Sequence, residues 1–167
     1  MILSGQSIRR LGILEPCAER TQEHGLSYGL GPAGYDLRLV LGKEHGEPMI
    51  KPAYPHSDEG WYVVLYPGEF TLAAAVEHFA MPTDVLGIVH DKSSLARLGL
   101  SVFNTVIEPG WSGSLTLELS NKGPKPIRLV EGQAIAQVVF HRLDEPAERP
   151  YDGKYQNQGY GPQVARG

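Results

Sequence analysis

Twenty glycines and thirteen prolines are scattered through 167 residues, and this punctuation limits the chain more than any other feature. Proline fixes φ and removes a backbone donor, and both residue types break helix interiors. Long helices have little room, so the chain is expected to fold as many short strands joined by turns. With 41% hydrophobic residues it can bury a real core as one domain spanning residues 1–167. A formal net charge of -4 argues against a nucleic-acid polymer as partner, because polymer binding normally needs a basic face. It leaves room for a single nucleotide, which needs only a few local cations. The stretch from Met1 to Gly12 lacks an uninterrupted apolar segment, and no run approaches membrane-spanning length. The expected setting is cytoplasmic, with no membrane partner. Cys17 stands alone, which rules out an intrachain disulfide and a cysteine-rich metal cage.

Periodicity then places the elements. Residues 4–12 predict a short helix capped by Ser4 and ended by Gly12. Residues 18–34, with Gly25, Gly29, Gly31 and Pro32, read as a long loop. From Tyr35 to Leu41, positions 35, 37, 39 and 41 are apolar while Asp36 and Arg38 point the other way, as in a strand. Residues 42–60 read as a loop. Trp61 to Tyr66 predicts a strand, Pro67-Gly68 a turn, and Glu69 to Ala75 the hairpin partner. Val85 to His90 is another short strand. Ser93 to Gly99 reads as a brief helix, serine at its start and glycine at its end. Leu100 to Ile107 is extended, and Pro109-Gly110 turns the chain. From Ser114 to Ser120, Leu115, Leu117 and Leu119 face a core, and Ser114, Thr116, Glu118 and Ser120 share the opposite face. Residues 127–130 and 133–143 complete the strands, and 144–167 form an irregular tail. So many short strands in one domain indicate an all-β jelly-roll or barrel-like fold, with one short N-terminal helix and one short helix near 93–98.

Three groups of residues could carry chemistry. Glu118 lies at the centre of a strand, where glutamate is disfavoured. If its face lines a pocket, desolvation raises its pKa toward neutrality and suits it to proton transfer. Patterning alone favours an ordinary solvent-facing carboxylate, since surface carboxylates are the rule. The run Lys92-Ser93-Ser94-Leu95-Ala96-Arg97 places two serines at a helix start, with Arg97 one turn beyond Ser93. This reads either as an anion seat or as a capped helix with solvated basic residues. The tail, Arg149 to Gly161, is rich in tyrosine, glycine and amides. It reads either as a disordered terminus or as a segment closing over a ligand.

His45-Gly46-Glu47 imitates the H-x-E of zinc nucleobase deaminases, and Pro16-Cys17 imitates half of their P-C-x-x-C. The second cysteine is missing and the two pieces occur in the wrong order. His24, His56, His78, His90 and His141 show no ligand spacing, so a catalytic zinc, which needs three protein ligands, is not expected.

Taken in order, Lys92-Ser-Ser-Leu-Ala-Arg-Leu-Gly-Leu100, Glu108-Pro-Gly-Trp-Ser-Gly113 and Leu115-Thr-Leu-Glu-Leu-Ser-Asn121 resemble the dCTP deaminase family. Met1 to Ser4, Gly34 to Leu39, Pro67 to Phe70 and the tail residues Lys154-Tyr155-Gln156 with Gln158 extend the likeness over essentially the whole chain. The resemblance implies a distorted jelly roll of the dUTPase-like type, assembled as a homotrimer with active sites at subunit boundaries. It implies zinc-independent deamination of dCTP to dUTP and ammonia, with magnesium carried on the triphosphate. Glu118 matches the catalytic glutamate, and Ser93 and Arg97 match the serine and arginine that position water and polarise the site. Lys92 and Ser94 match phosphate contacts. Phe103, Asn104 and Thr105 fall in the stretch that would meet base and deoxyribose, Glu108 near the sugar 3′-hydroxyl, and Trp111 in the same substrate-binding group. Tyr151, Lys154, Tyr155, Gln156 and Gln158 match the tail, 144–167, that closes over the nucleotide.

The chain departs from the family in having Glu108 where many relatives, and the dUTPases, carry aspartate. In dUTPases that aspartate orients the water attacking the triphosphate, and an extra methylene would displace it. The alternatives are a bifunctional enzyme giving dUMP and pyrophosphate, a dUTPase, or a nucleotide-binding regulator without turnover.

Overall fold

The computed structural model describes residues 1–41, 43, 44, 47, 48, 53–56 and 60–167. Helix α1 (Gly5–Leu11) begins as expected, with the Ser4 hydroxyl accepting from the Ser7 amide. It ends at Gly12, whose φ of 63° is the left-handed conformation glycine tolerates. Short strands follow: β1 (Leu14–Glu15), β2 (Thr21–Glu23), β3 (Leu26–Leu30) and β4 (Tyr35–Val40). Next come β5 (Lys43–Glu44), β6 (Glu47–Pro48), β7 (Ala53–His56) and β8 (Gly60–Leu65). The longest strand, β9 (Phe70–Ala80), precedes β10 (Val85–Asp91). A single helical turn, α2 (Ser93–Ala96), leads to β11 (Leu100–Val102) and β12 (Val106–Ile107). The chain closes its sheets with β13 (Ser112–Asn121), β14 (Ile127–Val130) and β15 (Ala134–Arg142).

The main sheet runs in the order β11-β13-β9-β4-β15-β10-β12 and curls on itself, while β14, β8 and β7 form a separate small sheet. Its core is built by alternating inward residues: Tyr35, Leu37 and Leu39 on β4, Leu117 and Leu119 on β13, and Phe79 and Phe140 between them, all fully buried. The all-β class and both short helices match the sequence reading.

Five local expectations are corrected. Residues 18–34 are not one loop, since β2 and β3 pair with each other and β3 joins β4. The segment 42–60 holds β5, β6, β7 and the first residue of β8; the rest of it, His45 included, lies outside the described residues. Trp61–Tyr66 and Glu69–Ala75 do not form a hairpin. Strand β8 pairs with β14 and β7, whereas β9 pairs with β13, β4 and β1. The Pro67-Gly68 turn is a corner between sheets: Gly68 has a φ of 83° and donates to the Asn121 carbonyl, and the Glu69 carboxylate accepts from the Tyr66 amide. Leu100 to Ile107 is interrupted between β11 and β12, and α2 is capped by Lys92 with no side-chain bond rather than by serine.

The polar face of β4 is also interior. Asp36 is buried and accepts from Lys92 Nζ at 2.8 Å and Gln137 Nε2 at 3.2 Å. Glu77, fully buried on β9, accepts from the Arg38 amide at 3.1 Å and from Arg38 Nε at 2.9 Å. Burial pushes the Glu77 carboxyl up, and the Arg38 bonds oppose that shift. Paired charges therefore sit on the face opposite the apolar positions, because β4 lies inside the main sheet between β9 and β15.

Candidate active site

Leu117 and Leu119 anchor β13 in the core, so Glu118 between them must project to the other face. Its register neighbour is Leu72 on β9, and its own carbonyl accepts from the Phe103 amide at 3.0 Å. There Glu118 enters a cleft of about 580 Å³. One wall is Phe70 and Leu72, another runs from Thr105 to Glu108 with Trp111, and the floor holds Leu115, Thr116 and Glu118. The tail supplies the remaining side through Tyr151, Tyr155, Gln158 and residues 163–165.

Among the described residues, Glu118 Oε2 is the one buried side-chain oxygen or nitrogen without a hydrogen-bond partner. Burial pushes the Glu118 carboxyl above its ordinary range, and a hydrogen bond from its own backbone opposes that shift. An unsatisfied carboxyl in a cleft is costly for folding and useful for proton transfer. Thr116 joins it by the two-residue alternation of the strand, and a bulge between Ser114 and Thr116 accompanies the turn of Leu115 toward the cleft. Ser114 and Ser120, expected on the same open face, are buried, and the Ser120 hydroxyl donates to the Glu69 carbonyl.

The tail is strapped along the segment that follows β12. The Tyr151 amide donates to the Pro109 carbonyl, the Asn157 amide to Ser112, and the Ser114 amide to Gln158. Gln156 acts as a clasp: its Oε1 accepts from the Ser112 amide at 2.8 Å, and its Nε2 donates to the Gly110 and Tyr151 carbonyls. Gln158 is buried, its Nε2 donating to Thr116 Oγ1 at 2.7 Å and to the Ser114 carbonyl at 2.8 Å. Trp111 donates from Nε1 to the Tyr155 carbonyl at 2.7 Å. Gly113 allows the close approach; a Cβ there would stand 2.7 Å from the Gln158 nitrogen.

Of the residues singled out in the sequence, the cleft gathers Thr105, Glu108, Trp111, Glu118, Tyr151, Tyr155 and Gln158. Gln156 holds the tail with both ends of its amide rather than facing the cleft. Ser93 and Ser94 on α2 and Arg97 at its C-terminal cap are exposed and do not line the cleft. Lys92 is buried against Asp36. Phe103 is exposed, edge-on to Phe70 at 5.9 Å, and Asn104 lies 3.2 Å from His90 Nδ1. Lys154 is exposed at the rim.

Sequence reasoning missed Phe70, Leu72 and residues 163–165. The first two arrive through the β9–β13 pairing, a long-range register with no local signal. Thr116 did carry a signal, since it alternates with Glu118. Among the described residues no group of three or more histidines, cysteines, aspartates or glutamates is placed to hold a metal ion.

The profile of the dCTP deaminase-like family matches residues 2–143. A dCTP deaminase of Roseiflexus castenholzii is 39% identical over 163 residues, covering 90% of this chain and 89% of its own. A relative from Methanopyrus kandleri named "dCTP deaminase, dUMP-forming" is 39% identical over 173 residues, covering 92% and 90%. The solved structure of a 2′-deoxycytidine 5′-triphosphate deaminase from Agrobacterium tumefaciens matches 86% of this chain with a TM-score of 0.61 at 24% identity. This chain spans about half (49%) of that one, and the likeness concerns the fold. The architecture is that of the dUTPase-like fold. The chain belongs to the dCTP deaminase-like family.

Proposed function

We propose that this protein deaminates dCTP to dUTP and ammonia without zinc, with Glu118 as its proton shuttle. The observation that carries this is the half-buried Glu118 carboxyl, its Oε2 buried without a partner, in a cleft of about 580 Å³. Water adds its hydroxyl to C4 of cytosine while Glu118 accepts the water's proton and passes it to N3. The remaining hydroxyl proton then moves through Glu118 to the amino group, which leaves as ammonia, and C4 becomes a carbonyl. A carboxyl with a raised pKa suits both directions of transfer near neutral pH. Magnesium enters as part of the substrate, on the triphosphate.

Ser93 and Arg97 are proposed to polarise the site from a neighbouring subunit of a homotrimer. Their exposure outside the cleft of their own chain supports this reading. Residues 1–167 are read as one domain, with 144–167 closing over the nucleotide, in a cytoplasmic enzyme. Ser94 is retained as a phosphate contact, and Phe103, Asn104 and Thr105 as contacts to base and sugar. Lys92 is reassigned as a positioning residue that ties α2 to β4 through Asp36.

A second reading, continuation to dUMP and pyrophosphate, is favoured by one observation. Glu108 lines the same cleft as Glu118. The M. kandleri relative carries that activity in its name. Pure protein with dCTP or dUTP and magnesium separates the two when ammonia and pyrophosphate are measured independently. Ammonia without pyrophosphate supports deamination alone, both products support the second reading, and neither product defeats both.

A further inference from the structure

Glu118 stands among apolar neighbours on the face it shares with the cleft. Its partner across the sheet on β9 is Leu72. On the other side the Phe103 amide donates to the Glu118 carbonyl at 3.0 Å, which sets Phe103 beside it just beyond β11. Phe70 pairs with Ser120 and is the diagonal neighbour of Glu118, a separation that an aromatic side chain spans. The Ser120 hydroxyl is engaged by the Glu69 carbonyl. Leu72, Phe103 and Phe70 themselves bring no hydrogen-bonding group to the carboxyl.

Part of this apolar surface is open to solvent. Phe70 is 56% exposed, Val106 49% and Phe103 47%. Phe70 and Val106 line the cleft, and Phe70 meets Phe103 edge to face, with ring centroids 5.9 Å apart. Exposed apolar side chains gathered at the mouth of a cleft mark a surface that a ligand covers. Cytosine offers a group for it. With Glu118 serving N3 and the C4 amino group, the ring atom on the far side of C4 is C5, which cannot hydrogen-bond. A substituent on C5 lies next to C4, within reach of the side chains that flank Glu118. An apolar rim suits an apolar group there and leaves a polar one unsatisfied.

We infer that Phe70, Leu72 and Phe103 form a subsite for a small apolar substituent on C5, so that 5-methyl-dCTP is a substrate preferred over dCTP itself. This rests on the deaminase reading of the Glu118 cleft. The chemistry is unchanged: the oxygen of water becomes O4, the amino group leaves as ammonia, and 5-methyl-dCTP becomes dTTP with its methyl group untouched. Burial of one methyl group is worth about threefold to fivefold in affinity.

The test compares dCTP, 5-methyl-dCTP and 5-hydroxymethyl-dCTP, each with magnesium. Ammonia release gives kcat/KM for wild type, F70A and F70L, and calorimetry on the E118Q chain gives Kd. Phe70 is more than half exposed, so both variants are expected to fold. In wild type, kcat/KM for 5-methyl-dCTP should exceed that for dCTP about threefold to fivefold, and the 5-hydroxymethyl nucleotide should lose that gain. F70A should bring the 5-methyl preference to about one, with F70L between. A wild-type ratio of one or below overturns the subsite. So does a preference that survives F70A; if that variant also loses its oligomer on size exclusion, Phe70 belongs to a subunit contact instead. If neither nucleotide releases ammonia, the deaminase reading fails and the Kd ratio alone decides the subsite. Tighter binding of 5-methyl-dCTP then upholds it, and equal or weaker binding overturns it.

Discussion

At the scale of single residues, Glu118 combines two properties that pull against each other. Its Oε2 is buried without a partner, which opposes folding, and the carboxyl faces open volume where a substrate could use it. Replacing it with glutamine keeps the shape and removes the proton. E118Q is expected to bind dCTP at near wild-type affinity while ammonia release falls by about a hundredfold to ten-thousandfold. Turnover close to wild type would remove Glu118 from the chemistry.

The same substitution has a stability signature. A carboxyl whose pKa is raised in the fold is protonated more readily there than in the unfolded chain. Its ionised form therefore lowers stability above the folded pKa, and this penalty fades as pH falls through that pKa toward the ordinary 4.5. E118Q should melt higher than wild type at pH 8, by about 2 °C or more, and the gap should close by pH 4. Equal melting curves at pH 8 would show that the charge is well solvated.

At the scale of elements, α2 is one turn long and gains little stability of its own. Its position depends on Lys92, which reaches into the sheet to a buried Asp36 on β4. Gln137 on β15 holds the other carboxylate oxygen, so three elements meet at one acid. Asp36→Asn leaves the Lys92 ammonium buried without its counter-charge, and such losses run to about 3–5 kcal/mol. Urea denaturation should show D36N strongly destabilised, and pairing it with Lys92→Met should recover much of the loss. If D36N unfolds at the wild-type midpoint, the ion pair does not hold α2.

At the scale of the whole molecule, a single chain keeps Glu118 in its cleft and Ser93 and Arg97 on its outside. If neighbouring subunits complete one another, two inactive variants can rescue each other. Mixing E118Q with R97A by unfolding and refolding together should restore activity at about a quarter of the sites, by random assortment. No recovery, with size-exclusion chromatography confirming mixed oligomers, would mean that each chain assembles its site alone. Among the described residues no helix is long and apolar enough to cross a membrane.

Much of this protein was legible before folding. The glycines and prolines dictated short strands, Ser4 and Gly12 bounded α1, and the alternation around Leu117 and Leu119 put Glu118 and Thr116 on one face. These are local properties, set by backbone sterics and by the two-residue period of a strand. The wrong hairpin at Pro67-Gly68 marks where local reading ends. A tight turn joins strands whether they pair or part, and here β9 leaves for β13, bringing Phe70 and Leu72 beside Glu118.

Local chemistry was enough for the class of fold, the motif order and the choice of carboxylate to watch. The burial of Glu118 Oε2 without a partner, the tie of Lys92 to Asp36 and the approach of Arg166 to Tyr155 arise only from the folded arrangement. Desolvation and ion pairing depend on what surrounds a group in space, and those surroundings come from segments far apart in the chain.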